Sequence, residues 1–549
     1  MTTLDSSLHA RNISRLPWKL RTAASAAMNG STEAIAQLQR AANNLTQSES
    51  PGLLPVIYTT LDPSLIPSPD VLDTMTTASS RPSSVVRAVL AVSCLAVVAH
   101  DPHLSSTAMV ELWPRVHAWM EFFSDSESVL ALSPAERTSW EMSLSQALMG
   151  FWNCPETYKV VESTNGVRRV LASAWTALMQ VPVPNIHNVL AGGSSPLLAL
   201  DEIQNEEHIA ELIEGCGGNV KSLLDTVTKT ISLATTSASP YIASMVITPV
   251  LTLLAQIKVV APDISQQFIA KGVIPFLISA LAIEGNPPLD SHRNRLPDLP
   301  VGIHMAPSIL MSYLGLMPSY KWTLRAVHAG LLERIIAWGE KLGPAAPDAG
   351  VFPHMLRVVL PRVLRFPSAI AELKTALSRV DTASRSTAFT QSVLYPSWMA
   401  FKNIVDSRML LVETWQMDRA HATLACDNLQ CERVDKRHCF RRCSGCSFAA
   451  YCSQTCQRSD WVEGHRSECR VLTSSALLGK FRDSSFLRAL LHSTYNTRRL
   501  DIALKIIEFM VVQPNTLFLV TYDYTPRIET ETSVVIEVQP LTNLNEPLR

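Results

Sequence analysis

The stretch Cys426-Asp-Asn-Leu-Gln-Cys431, Cys443-Ser-Gly-Cys446, Tyr451-Cys452-Ser-Gln-Thr-Cys456 and His465-Arg-Ser-Glu-Cys469 is the densest chemistry in this chain of 549 residues. With Cys439, it holds eight of the 11 cysteines. Short cysteine pairs, with a histidine four positions before the last cysteine, are how a chain offers thiolate and imidazole to a metal ion. Zinc is the expected ion, because these ligands prefer it and no redox or haem signature accompanies them. Seven cysteines and His465 make two sets of four. Two tetrahedral sites then have no open position, which predicts structural ions and not catalytic ones. Cys439 stands four residues before Cys443 and is an alternative to it. The Cys443-x2-Cys446 turn makes the tighter knuckle, so Cys439 is read as a spare thiol.

A helix over Gln457 to Cys469 is predicted, with Trp461, His465 and Cys469 on one face at intervals of four. Residues 426–470 carry eight basic and six acidic side chains. With its ion counted, a four-thiolate site has net charge about −2, and one of three thiolates and a neutral imidazole about −1. The segment is therefore not a cationic probe, which argues against direct nucleic-acid contact.

These residues resemble the MYND zinc finger. The matching positions are Cys426, Cys431, Cys443, Cys446, Tyr451-Cys452-Ser453, Cys456-Gln457, Asp460-Trp461, His465 and Cys469. The resemblance implies interleaved ligation: Cys426, Cys431, Cys452 and Cys456 on one Zn2+, and Cys443, Cys446, His465 and Cys469 on the other. It also implies a protein-binding role, in which some members hold short proline-rich peptides in a shallow groove. By motif position Ser444, Gln457 and Trp461 correspond to groove residues. A tryptophan face accepts a preformed polyproline segment, and Gln or Ser can bond its carbonyls. Two departures bear on the groove. The first cysteine pair is spaced x4 where x2 is commonest, and three residues, not two, separate Trp461 from His465.

Working toward the N-terminus, residues 11–420 read as helix after helix. The clearest are Ser31 to Asn43, Ser84 to His100, Glu111 to Phe123, Gln267 to Ala282 and Trp322 to Lys341. Ser133-Pro134-Ala135-Glu136 is a capping box with a first-turn proline, ahead of an apolar helix over Trp140 to Trp152. A phrase recurs at Asn165-Gly166-Val167, Lys271-Gly272-Val273 and Ala329-Gly330-Leu331, where one helix ends at glycine and the next begins at once. It resembles the junction between helices of armadillo repeats, most closely over Phe268 to Leu277. Its intervals are irregular, so a degenerate helical solenoid is expected. The polar break 291–300, with His292, Arg293 and Arg295, reads as a solvated loop. Tyr241 to Ile257 barely reaches spanning length and contains Pro249, so a buried helix is expected, not a membrane span.

On the C-terminal side, Ser484 to Val512 is helical by pattern. Thr516 to Tyr524 and Ser533 to Val538 are rich in β-branched and aromatic residues, and Thr525-Pro526 begins the link between them. A hairpin packed on helices is predicted. The expected order is thus a flexible N-terminus at 1–10, a helical armadillo-like region at 11–420, the finger at 426–469 and a helix-plus-hairpin tail at 470–549. The fold class is mainly α: an irregular armadillo-like solenoid, a small two-zinc finger and a short α+β segment.

Composition agrees with a packed protein, at 47% hydrophobic and 17% charged with 34 prolines and 20 glycines. The formal charge of −1 supplies no general pull toward nucleic acid or acidic membrane. Met1 to Ala10 lack the apolar core of a secretory signal, and Cys94, Cys154 and Cys216 are scattered. An intracellular site, cytoplasm or nucleus, is expected.

The leading functional expectation is a non-enzymatic adaptor whose finger docks short, proline-rich peptides and whose helical region offers a second surface. One alternative is a lysine methyltransferase pairing a MYND finger with a SET domain. That enzyme needs an Asn-His-Ser/Cys motif and Gly-rich strands, and the sequence has neither. A second alternative is indirect transcriptional regulation through protein partners. Gly-x-Ser-x-Gly, Gly-x4-Gly-Lys-Ser/Thr, Gly-x-Gly-x-x-Gly and His-Glu-x-x-His are all missing from the sequence.

Overall fold

The computed structural model describes residues 4–73, 81–99, 101, 104–126, 133–152, 155–180, 203–236, 240–284, 305–316, 320–341, 350–421, 423–474, 481–523 and 534–540. The architecture is mainly α, and the chain divides into two compact units, Met1–Met305 and Ala306–Arg549. The loop at 291–300 and the hairpin link at Thr525-Pro526 lie outside the described residues.

In the first unit, helices pack mainly on near neighbours in sequence. Ser83–Val98 lies against Pro134–Trp152, and Val167–Leu178 against Glu206–Gly215. Local signals in the sequence explain their ends. The Ser31, Ser105 and Asn205 side chains each accept the backbone N–H three residues on, which satisfies donors the first helical turn leaves open. The capping box forms in full: Ser133 N–H donates to Glu136 Oε2 at 2.8 Å, and Glu136 N–H donates to Ser133 Oγ at 3.3 Å.

Arg81 reaches the same carboxylate at 2.8 Å, and with Ser133 it holds Glu136 down to about 2. A depressed carboxyl contributes above its ordinary range near 4.5 and stops contributing as pH falls toward 2. Ser133→Ala is expected to cost about 1 kcal/mol at pH 7 in urea unfolding. The gap between variant and parent should narrow as pH falls toward 2, because the Ser133 side chain also helps to hold the Glu136 carboxyl down. It should not close, because the Glu136 N–H to Ser133 Oγ bond does not titrate, and a pH-independent gap would contradict the ion-assisted cap.

A helix begins directly after the glycine at all three places, although the helix before Gly166 already ends at Glu162. Gly166, Gly272 and Gly330 have φ of +82°, +106° and +98°, a left-handed backbone that only glycine adopts cheaply. The expected helices over 267–282 and 322–341 are accordingly split, into Pro262–Lys271 with Val273–Glu284 and Tyr320–His328 with Leu331–Gly339. Pro249 lies inside the helix Pro240–Val260. No single described helix is long and apolar enough to cross a membrane. The described part of the N-terminal segment, expected to be loose, is docked. Leu8 is buried, Asp5 N–H donates to Glu111 Oε2 at 3.1 Å, and Ser105 Oγ donates to Asp5 Oδ2 at 2.8 Å.

In the second unit the long helix Tyr395–His421 leads into the cysteine-rich segment, and Phe481–Val512 follows it. These two helices meet. The Trp415 ring lies edge-on to Phe486 at 5.4 Å, and its Nε1–H donates to Ser485 Oγ at 3.4 Å. The finger is thus an excursion between two helices that pack on each other. Arg498, at φ −114° and ψ 15°, breaks the later helix. Beyond the break, Ile502 and Ile506 pack under an antiparallel hairpin, Phe518–Asp523 with Val535–Pro540, through Val520, Tyr522, Val534 and Ile536. Leu504, Ile507 and Met510, which also belong to the apolar pattern, are exposed.

Candidate metal centre

Two short ladders shape the finger. β1 (Thr423–Ala425) pairs with β2 (Val434–Lys436), and β3 (Arg441–Arg442) pairs with β4 (Ala450–Tyr451). The first cysteine pair lies in the β1–β2 turn, where Cys426 N–H donates to Arg433 O at 3.0 Å and Cys431 N–H to Asn428 O at 2.8 Å. The four-residue spacing is therefore a formed turn. Asn428, which sequence reading did not single out, is buried at its centre. Its Oδ1 accepts from Gln430 N–H at 2.9 Å, and its Nδ2 donates to Cys456 O at 3.4 Å. Asp427 joins the ladders, with its N–H donating to Ala450 O at 2.9 Å and its Oδ2 accepting from Ala450 N–H at 2.5 Å.

The second pair sits in the β3–β4 turn. Cys443 N–H donates to Ala449 O, and Ser447 N–H to Cys443 O, each at 2.9 Å. A Cβ on Gly445 would lie 2.8 Å from Cys469 Sγ, so only glycine lets the knuckle approach that thiol. Ser453 caps the helix Gln454–Asp460 by accepting from Cys456 N–H at 3.2 Å, which points the third pair inward.

The helix expected to run unbroken to Cys469 does not. It ends at Asp460, opens into a wide π-turn over Trp461–His465 with Gly464 out of helical geometry, and resumes as Arg466–Ser474. The π-turn delivers His465 inward, 3% exposed, between the rings of Tyr451 and Trp461, with centroids at 5.9 and 5.8 Å. Tyr451 is fully buried and donates its hydroxyl to Asp460 at 2.5 Å.

This scaffold brings two sets of donors together: Cys426, Cys431, Cys452 and Cys456, and Cys443, Cys446, His465 and Cys469. Within each set all ligand atoms lie within 4.8 Å of one another. Cys431 and Cys456 Sγ are each 3.5 Å from Cys452 Sγ, Cys443 and Cys469 Sγ are 3.8 Å apart, and Cys446 Sγ is 3.6 Å from His465 Nε2. Tetrahedral zinc with bonds near 2.3 Å separates its sulfurs by about 3.8 Å. Both sets therefore fit zinc. Cys439 lies in the turn Arg437–Cys439, outside both. Burial raises the Cys443 thiol, but the amide N–H groups of Cys446 and Gly445, with His465, outweigh it and hold this group down to about 7. Burial, reinforced by the neighbouring thiols, pushes Cys452 up to about 12.

The three groove positions are less closely gathered. Trp461 is 38% exposed and Val462 lies bare beside it. They open a recess of about 530 Å³ walled also by Glu463, Arg466, Ser467 and Arg470. Ser444 is exposed and Gln457 half-buried, and neither lines this recess.

Residues 426–469 match the family model of the MYND finger, and with the two clusters in place this segment is a MYND finger, a zinc-binding fold commonly used for protein–protein interaction. Among curated proteins, the chain is similar to an F-box protein of Arabidopsis thaliana, 41% identical over 58 residues. That match takes in 10% of this chain and spans 17% of the relative's length. No solved structure matches the chain. The family match is confined to the finger and does not extend to the helical array.

Proposed function

We propose that the protein is a non-enzymatic, intracellular adaptor whose finger docks short, proline-containing peptides of partner proteins on the Trp461 face. The observation that carries this reading is the position of Trp461. Its ring is partly exposed and meets the His465 ring edge-on at 5.8 Å, so a zinc-held residue fixes the orientation of an aromatic surface. A rigid aromatic platform binds a polyproline segment at little entropic cost, because neither side has conformational freedom to lose. Arg466 and Arg470 at the rim favour acidic residues flanking the prolines. In this reading Cys426, Cys431, Cys452 and Cys456 hold one zinc ion, and Cys443, Cys446, His465 and Cys469 the other. The helical region at 11–420 supplies a second, armadillo-like surface.

The test is an array of proline-rich and scrambled peptides probed with the zinc-loaded protein and its Trp461→Ala variant. The variant should retain two zinc ions and lose at least about tenfold in affinity for the selected peptides, as expected for removal of an aromatic anchor. Equal binding by both proteins would overturn the groove and leave the finger a scaffold.

A further inference from the structure

Beyond the break at Arg498 the C-terminal helix is apolar on two opposite sides. Ile502, Ile506 and Phe509 turn toward the hairpin, where Phe509 and Phe518 meet edge-on at 5.7 Å. On the other side Leu500, Leu504, Ile507 and Val511 are 57–76% exposed. Their 4-3-4 spacing places them in one stripe, and it is the spacing of the seam between paired helices. Met510, Val512, Leu517 and Leu519 are exposed as well. The four side chains of the stripe, with Met510 beside them, leave several hundred Å² of apolar surface bare, a patch as large as the functional patches of ordinary monomers.

We propose that this stripe is covered by the same stripe of a second copy, so that the protein is a two-fold dimer through its C-terminal helices. The apolar area is of the order of the apolar share of a standard interface, about two thirds of about 800 Å² on each partner. The stripe is also its own complement. A 4-3-4 spacing reads the same in both directions, and an antiparallel partner sets Leu500 against Val511 and Leu504 against Ile507. No charged residue interrupts it, Asp501 is paired to Arg498 at 2.5 Å, and a formal charge of −1 per chain gives two copies little reason to repel. A single helix under a two-stranded hairpin is a thin layer by itself. Duplication buries the bare helix side and completes a hairpin, helix, helix, hairpin stack. A lipid surface is the poorer occupant, since the residues near the stripe include Asp501 and Glu508 beside Arg499 and Lys505, without the basic excess that such helices carry.

Sedimentation velocity on the full zinc-loaded chain tests this. The parent is expected to run as a dimer at micromolar concentration. Leu504→Glu/Ile507→Glu and Leu504→Lys/Ile507→Lys should each dissociate roughly 100-fold more readily, with two zinc ions and an unchanged far-UV spectrum. Mixing the two variants should restore a heterodimer, because Glu then faces Lys whichever way the helices run. A monomeric parent would overturn the proposal. So would variants that stay dimeric, or folded monomeric variants that fail to pair on mixing.

Discussion

Stripping zinc with excess chelator is expected to abolish the order of residues 426–469 while the helices before and after them persist. The finger has almost no core besides its ligands. Its buried cluster is Cys426, Cys443, Cys446 and Cys469 with Ala449 and Tyr451, and the apolar residues packed on it are largely further cysteines. Without metal these thiols are small, weakly apolar groups, and a 44-residue segment has too little else to bury. Zinc binding in comparable modules supplies about 10–16 kcal/mol near pH 7, which is folding energy. Limited proteolysis gives the readout: cleavage should move into 426–469 after chelation, with far-UV helical signal largely retained. Metal analysis of the untreated protein should return two zinc ions per chain. A finger that stays protease-resistant without metal would contradict this account.

The second large effect is expected in the first unit. Trp175→Ala should cost about 3–5 kcal/mol, the range for deleting a fully buried large aromatic. Trp175 is 0% exposed on the helix Val167–Leu178, and its Nε1–H donates to Thr230 Oγ1 at 2.9 Å on the helix Val220–Thr236. Truncation leaves both a void and a vacated acceptor. Thr230 keeps its own donation to Thr226 O at 2.8 Å, so the loss is dominated by packing. Trp175→Phe should be considerably milder. Urea unfolding of parent and variants decides it, and a loss under about 1 kcal/mol for the alanine variant would show that the pocket collapses around the gap.

Much of the finger was legible from its sequence, because metal ligands cannot be substituted freely and their spacing survives as a pattern. The capping box at Ser133 was legible for a similar reason, since its two hydrogen bonds involve residues three apart. What could not be read was geometry set by distant partners. Gly445 is required by the Cys469 thiol, 24 positions further on, and Asn428 by the carbonyl of Cys456. The π-turn at Trp461 was hidden because a four-residue interval looks the same in a regular helix as in a widened one, and only Gly464 marked the place. The C-terminal helix failed differently. Its apolar residues occupy two opposite sides, and periodicity records that a residue is apolar without recording whether anything covers it.

The order in which the two donor sets alternate along the chain has a consequence for zinc supply. Cys443 and Cys446 lie inside the loop closed when Cys426 and Cys431 join Cys452 and Cys456, so the first ion shortens the search left to the second. Loading should therefore be steep. When free zinc is scarce, molecules would divide between empty and doubly filled, with few carrying one ion, and the finger would respond to the metal as a threshold, not in proportion to it.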